Sequence, residues 1–217
     1  MQEKMKDLLP KSIFELIDSE SFRKRTAMYI GKKSISALRI FMDGYQTCEL
    51  FNGIKTKETK PPFWIFFYWI CKYYNHSGSY YSWDGIILQN CENDEVKAIE
   101  TFFERFDEFR QFQPKRLIAS QISDKAINFF YSNEGKRRLI KNGEEKRIGP
   151  ADKVFIIEYD NNLGCSSHHR KDNKGINFDY FESVNKAIED AEKEYGKSLN
   201  WKEVPQDKIE MIYEKII

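Results

Sequence analysis

The sequence has no long apolar run, and this limits where the chain can reside. Its most apolar stretch, FWIFFYWICKYY at residues 63–74, spans 12 residues, far short of the roughly 20 residues that a membrane-spanning helix needs. The first residues, MQEKMKDLLPKS, are charged and contain no apolar signal core. We therefore expect a cytoplasmic protein that has no membrane partner.

The sequence also lacks a large net charge and closely spaced cysteine pairs. The net charge is only +1, so the overall field of the molecule favours neither nucleic acid nor a membrane surface as a partner. Cys48, Cys71, Cys91 and Cys165 are scattered, and none forms a C-x-x-C pair, which predicts reduced thiols rather than disulfides. Aromatic residues are plentiful, with 17 Phe and 12 Tyr, and a disordered chain would be poor in them.

The amino-terminal half shows the spacing of apolar residues that is typical of helices. A short helix is expected over residues 12–20, and Gly31 is expected to turn the chain into a helix that begins near Ser34. The apolar stretch at 63–74 predicts a buried helix, and Ser82 is expected to cap a short one.

The clearest helix begins at Asp94 and ends before Pro114. Its apolar residues recur at spacings of three and four and are expected to pack into the core rather than to line a cofactor site; they are Val96, Ile99, Phe102, Phe103, Phe106 and Phe109. The half of the chain up to residue 113 is therefore predicted to be helical.

The remainder of the chain predicts short strands. Residues 115–153 carry ten basic and five acidic side chains, and within them residues 121–131 fit a helix and a strand equally well. Strands are expected at 154–160, at 164–170 and at 176–181, followed by a helix from about Ser183 to Tyr195.

The predicted fold class is therefore α+β, with a helical amino-terminal part and a small carboxyl-terminal antiparallel sheet plus helix. We expect a helical domain at 1–113, a basic connecting segment at 114–153, and a ββα-type unit at 154–217.

The sequence offers no coherent catalytic set. RKRTAMYIG, at residues 23–31, is similar to the RPGMYIG stretch of type II topoisomerase ATPase domains, but Asp43-Gly44 stands where Asp-Asn is needed for magnesium and no D-x-G-x-G loop follows. Likewise no G-x-S-x-G nucleophile motif occurs. We therefore predict no catalytic residues and no cofactor.

Cys165, His168 and His169 are residue types that could form a zinc site or the metal element of a nuclease. Adjacent histidines on a strand point to opposite faces, so both cannot easily reach one ion, and four-ligand zinc sites need more partners than this segment supplies. We predict an exposed hairpin with no metal.

A longer pattern extends over residues 25–45, R-x-x-MYIG-x-x-SI-x-x-L-x-x-F-x-x-GY, with Trp83 and Phe102-Phe103 further along the chain. It resembles the R-P-x-M-Y-[IL]-G opening of immunity-type proteins of bacterial polymorphic toxin systems, with Thr26 in place of the usual Pro. The motif is expected to be structural, with Met28, Tyr29 and Ile30 largely buried. The motif residues are Arg25, Met28, Tyr29, Gly31, Gly44 and Tyr45.

This resemblance implies a non-catalytic bacterial protein that binds and neutralises a cognate toxin domain. Residues 84–110 carry eight acidic and three basic side chains, and such a surface would suit a basic nuclease toxin. The expected contact residues combine aromatic anchors with acids: Tyr80, Tyr81, Trp83, Asp94, Glu95, Glu100 and Glu104. The alternatives are another interaction or regulatory module and, less favoured, a nuclease or nucleotide hydrolase; the sequence predicts no oligomeric state.

Overall fold

The computed structural model of the protein describes residues 12–54, 58–77, 81–133, 138–141, 144–147 and 149–217. The fold is α+β, as predicted: helices occupy the amino-terminal part and an antiparallel sheet with helices occupies the carboxyl-terminal part. The chain divides into two compact units, with the boundary between Gln111 and Phe112. Within the described ranges, no helix combines the length and the apolarity required to cross a membrane.

The first unit consists of short helices whose starts are set by serine and aspartate caps. Ser12, Ser19 and Ser34 each accept a hydrogen bond from the backbone N–H three residues further on, which satisfies donors that a helix start leaves open. The helices are α1 (Ile13–Asp18), α2 (Glu20–Lys24), α3 (Thr26–Ile30), α4 (Ile35–Phe51), α5 (Trp64–Tyr73), α6 (Trp83–Asn90) and α7 (Glu95–Phe109).

The core of the first unit is built from aromatic rings. Phe66 on α5 is fully buried, and its ring centroid lies 5.3 Å from that of Phe109 and 5.7 Å from that of Phe102. The phenylalanine stripe of α7 is therefore core, as its spacing predicted. Val96 was wrongly placed on this stripe: it lies in the first turn of α7 and is exposed.

The second unit is organised around a five-stranded antiparallel sheet with strand order β6-β5-β4-β1-β7. Its strands, together with a separate β2–β3 hairpin, are β1 (Pro114–Gln121), β2 (Arg138–Lys141), β3 (Glu144–Arg147), β4 (Lys153–Tyr159), β5 (Cys165–Lys171), β6 (Lys174–Phe181) and β7 (Lys202–Glu203). The three strands predicted after residue 153 are confirmed as β4, β5 and β6. Asn161, Asn162 and Gly164 all have positive φ in the turn between the first two.

Helices cover both faces of this sheet. The unit's helices are α8 (Asp124–Ser132), α9 (Val184–Tyr195) and α10 (Ile209–Ile216). On one face Ile156 and Cys165 pack against Ala187 of α9, and on the other the ring of Tyr159 lies 6.2 Å from that of Tyr213 on α10. Successive residues of a strand point to opposite faces. Because helices cover both faces, the sheet buries side chains on each of them.

Residues 121–131, which fit a helix and a strand equally well, contain the end of a strand followed by a helix. Gln121 ends β1, which pairs with β4, and Ser123 caps α8 by accepting from the Ala126 N–H at 3.4 Å. The segment at 114–153 thus supplies a central strand and a helix to the second unit.

Candidate functional site

The motif segment begins with a short helix and a glycine turn. Gly31 has a φ of 82°, the left-handed conformation that ends α3, and Ser34 then caps α4. This confirms the predicted turn into a helix near Ser34. Thr26, which replaces the usual proline, is buried and donates from Oγ1 to the Phe22 carbonyl oxygen at 2.9 Å.

The predicted burial of Met28 and Tyr29 is wrong. Met28 is 77% exposed and Tyr29 is 42% exposed. The physical reason is the size of α3, which has only 5 residues. A helix this short turns one side inward, and Thr26 and Ile30, four residues apart, occupy that side. Met28 falls on the opposite side, and Tyr29 lies at the edge between the two.

Tyr29 is held in place although it is exposed. Its ring lies 5.1 Å from the buried ring of Phe22, and its hydroxyl lies 3.0 Å from the Ser21 Oγ. The ring of Phe22 in turn stacks on Phe41 at 6.1 Å, and Phe41 contacts Tyr45 at 6.4 Å. The two motif tyrosines are therefore linked through a short row of rings, and Tyr29 is presented to solvent on a packed base.

One side of α4 carries no charged residue. Ala37, Ile40, Gly44, Cys48 and Phe51 recur at spacings of three and four and so share one side of the helix. Ile40 and Phe51 are mostly exposed, and a Cβ at Gly44 would meet nothing within 4 Å. Gly44 is thus not required by packing inside the unit, which differs from its expected structural role.

Basic residues flank the exposed motif residues in the chain. Arg25 and Lys32 are exposed, and neither forms an ion pair within the described part of the chain. Lys24 pairs with Glu20 at 2.5 Å. We use the term motif surface for Arg25, Met28, Tyr29 and Lys32, which lie on α3 and its two flanking positions.

The four acids predicted to bind a partner are all engaged inside the first unit. Asp94 accepts from the N–H groups of Lys97 and Val96, which lowers the pKa of its carboxyl. Glu100 pairs with Lys33, and Glu104 lies 3.4 Å from the Arg105 guanidinium.

Glu95 links the first turn of α7 to the start of α4. Its Oε2 accepts from the Ser34 hydroxyl at 2.8 Å, and its Oε1 accepts from the Ser36 hydroxyl at 2.7 Å. Burial by itself raises the pKa of this carboxyl, but the hydrogen bonds from Ser36 and Ser34 outweigh that effect and leave it lowered.

The three predicted aromatic anchors have different outcomes. Tyr80 lies outside the described residues. Tyr81 is exposed, and its ring meets that of His76 edge-on at 5.3 Å. Trp83 is only 9% exposed because its ring packs 4.9 Å from that of Phe102, so its expected role as an anchor is wrong.

The paired histidines of β5 lie on opposite faces of the sheet, as predicted, but they are buried rather than exposed. His168 Nε2 lies 2.9 Å from the Ser166 Oγ, and His169 Nε2 lies 3.1 Å from the Ser167 Oγ. Burial, followed by the nearby Arg170 charge, lowers the pKa of His168 to about 3. The exposed-hairpin prediction failed because α9 and α10 cover the two faces, which β5 alone does not reveal.

A concave site lies in the carboxyl-terminal unit, between α8 and the turn after α9. It has a volume of about 560 Å³ and is lined by Lys125, Asn128, Phe129, Ser132, Gly196, Lys197 and Ser198. The Phe129 ring lies close to Gly196, where a Cβ would come within 3.1 Å of it. Across the described ranges, no three His, Cys, Asp or Glu side chains are grouped so that they could hold a metal ion.

Comparison with known proteins yields no relative: no protein-family model, no curated protein and no solved structure matches this chain.

Proposed function

We propose that this chain is a non-catalytic immunity protein that binds and neutralises a cognate bacterial toxin domain in the cytoplasm. The observation that carries the proposal is the exposure of Met28 and Tyr29 at the centre of the motif. A motif whose apolar side chains face solvent on a packed helical base suits recognition of another protein.

The chemistry of the exposed residues supports a protein partner. Tyrosine and methionine are enriched in the buried centres of protein interfaces, where they lose little conformational entropy or adapt to an irregular partner. Tyr29 is already fixed by Phe22 and Ser21, so its immobilisation on binding costs less than that of a free side chain. The surface is therefore partly prearranged for binding.

The serine–histidine pairs of the second unit do not favour a hydrolase. Ser166 is fully buried, and His168 is only 7% exposed. A nucleophile and base need access to a substrate, and this pair has Tyr159 in hydrogen-bonding contact at 3.2 Å from the Ser166 Oγ instead. These groups serve as a buried polar network inside the sheet unit.

Co-expression with the product of the adjacent gene tests the proposal. We expect this chain to restore growth of cells that express the neighbouring toxin domain and to co-purify with an inactivated form of that domain. An unrelated toxin with the same expression level is the control for specific rescue. A neighbour that is not toxic, or one that is toxic but neither bound nor neutralised, would contradict the function.

A further inference from the structure

We infer that the motif surface docks into an acidic-rimmed apolar recess on the toxin domain. This inference rests on the proposed function, and it names the chemistry of the partner's contact surface. It places contact on Met28 and Tyr29, flanked by Arg25 and Lys32, rather than on the acidic side chains of α7.

The apolar centre of the motif surface requires a recess on the partner. Met28 is 77% exposed, and it projects from a five-residue helix beside a glycine turn. A projecting methionine can enter a cavity and adjust its three side-chain torsions to the cavity shape. The neighbouring Tyr29 supplies a rigid ring at its side.

The charge around that centre indicates which charge the partner's contact surface should carry. Arg25 and Lys32 flank Met28 and Tyr29 on both sides in the chain, and neither is neutralised by an ion pair with a described residue. Opposite charge on the facing rim would accelerate encounter and fix the docking register, whereas a basic rim would repel it. The complementary partner surface is therefore acidic.

The acids of α7 are poorly suited to the same task. Glu100 pairs with Lys33, and Asp107 accepts from both Nη atoms of Arg23 at 2.6 and 2.7 Å. Their charges are compensated within the unit, and the carboxylate of Glu95 is committed to Ser34 and Ser36. The motif surface thus places exposed apolar side chains beside Arg25 and Lys32, which form no ion pair within the described residues.

Charge reversal provides the first test. Binding of the neighbouring toxin domain is measured by surface plasmon resonance at several salt concentrations for the unaltered chain and for the Arg25→Glu, Lys32→Glu double variant. We expect the association rate to fall by about tenfold or more, and its dependence on salt to weaken or invert. The matched control is the Lys115→Glu, Lys208→Glu double variant, which reverses the charge of two exposed lysines of the second unit and is expected to bind normally.

Methionine truncation provides the second test. Met28→Ala is expected to weaken binding by at least about fivefold, mainly through faster dissociation. Met211→Ala is the matched control, because Met211 is also exposed, at 50%, but lies on α10. Both methionines are solvent-facing, so neither substitution should unfold the chain, and circular dichroism verifies this.

The outcomes separate this inference from the function on which it rests. If the toxin domain binds and is neutralised but the motif variants bind like the unaltered chain, the docking surface is wrong and the immunity function stands. A similar result follows if reversing acids of α7, in a Glu100→Lys, Glu104→Lys variant, slows association more than the motif variants do. If the unaltered chain does not bind the toxin domain at all, the function and the inference both fail.

Discussion

The Tyr29 hydroxyl lies 3.0 Å from the Ser21 Oγ, while the Tyr29 ring rests on Phe22 at 5.1 Å. One side chain is thus anchored at two points, by its polar tip and by its apolar body, and still leaves 42% of its surface exposed. These two contacts fix the position of an exposed side chain on a short helix. Mutations can measure the contributions of the hydroxyl and of the ring separately.

Replacing Tyr29 should separate the hydroxyl from the ring. Tyr29→Phe removes one partly exposed hydrogen bond, so we expect the free energy of unfolding to fall by less than about 1 kcal/mol. Tyr29→Ala also removes the contact with Phe22 and should cost about 1 kcal/mol more than the Phe variant. Urea denaturation followed by circular dichroism measures both. Equal losses in the two variants would show that the ring contact contributes nothing.

Alanine at Gly44 should stabilise the protein. Gly44 lies inside α4, and a Cβ there would meet no atom within 4 Å, so Gly44→Ala should raise the free energy of unfolding by about 0.5–1 kcal/mol through helix propensity. The comparison variant is Gly164→Ala. Gly164 has a φ of 113°, and a Cβ there would lie 2.6 Å from the Tyr180 hydroxyl, so this variant should be destabilised. A loss of stability at position 44 would contradict the open environment.

Truncation at Phe66 should remove the centre of the aromatic core. Phe66 is fully buried among the rings of Phe102, Phe106 and Phe109, so Phe66→Ala should cost about 3–5 kcal/mol. Tyr68→Ala alters an aromatic residue on the same helix that is partly exposed, and it should cost well under half as much. Thermal and urea unfolding compare the two, and similar losses would argue against Phe66 as the centre of packing.

Acid should weaken the second unit through His168. The pKa of this ring is about 3 in the folded chain and ordinary, near 6.5, in the unfolded chain, so between these values the unfolded chain binds a proton that the folded chain does not. The associated stability is complete above about pH 6.5 and is lost as the pH falls toward 3, by at most about 5 kcal/mol.

The His168→Gln variant isolates this effect from that of the carboxylates, which titrate in the same pH range. Its stability at pH 7 can be lower, but the slope of stability against pH between 6.5 and 4 should be shallower than in the unaltered chain. His76→Gln in the first unit is the matched control for loss of a histidine elsewhere in the chain. Parallel slopes for His168→Gln and the unaltered chain would show that the buried ring does not govern the acid response.

Local features of this protein were predictable because short-range geometry determines them. Ser34 and Gly31 define a helix start and a turn through backbone hydrogen bonding and a positive φ, and both effects involve only neighbours in the chain. The spacing of Phe102 and Phe106 likewise identified the inner face of α7. The alternation of β5 correctly placed His168 and His169 on opposite faces.

The errors share a different cause. Met28 is apolar, yet it is exposed because α3 has one inward side and other residues occupy it. The excess of acidic residues at 84–110 overstates the charge of this region, because two bases that pair with these acids come from distant positions: Asp107 pairs with Arg23, and Glu100 pairs with Lys33. A count over a continuous stretch cannot include these partners.

The α+β class, the caps and turns, and the inward spacing of the aromatic helix can be read from the residue pattern, since they depend on interactions within a few residues. Which surfaces remain open to a partner depends on long-range packing. Exposure of Met28, burial of Trp83 and His168, and pairing of Glu100 with Lys33 all depend on which elements pack together across many residues. Apolar character makes burial favourable, but it is the available neighbouring surface that determines whether a given side chain is buried.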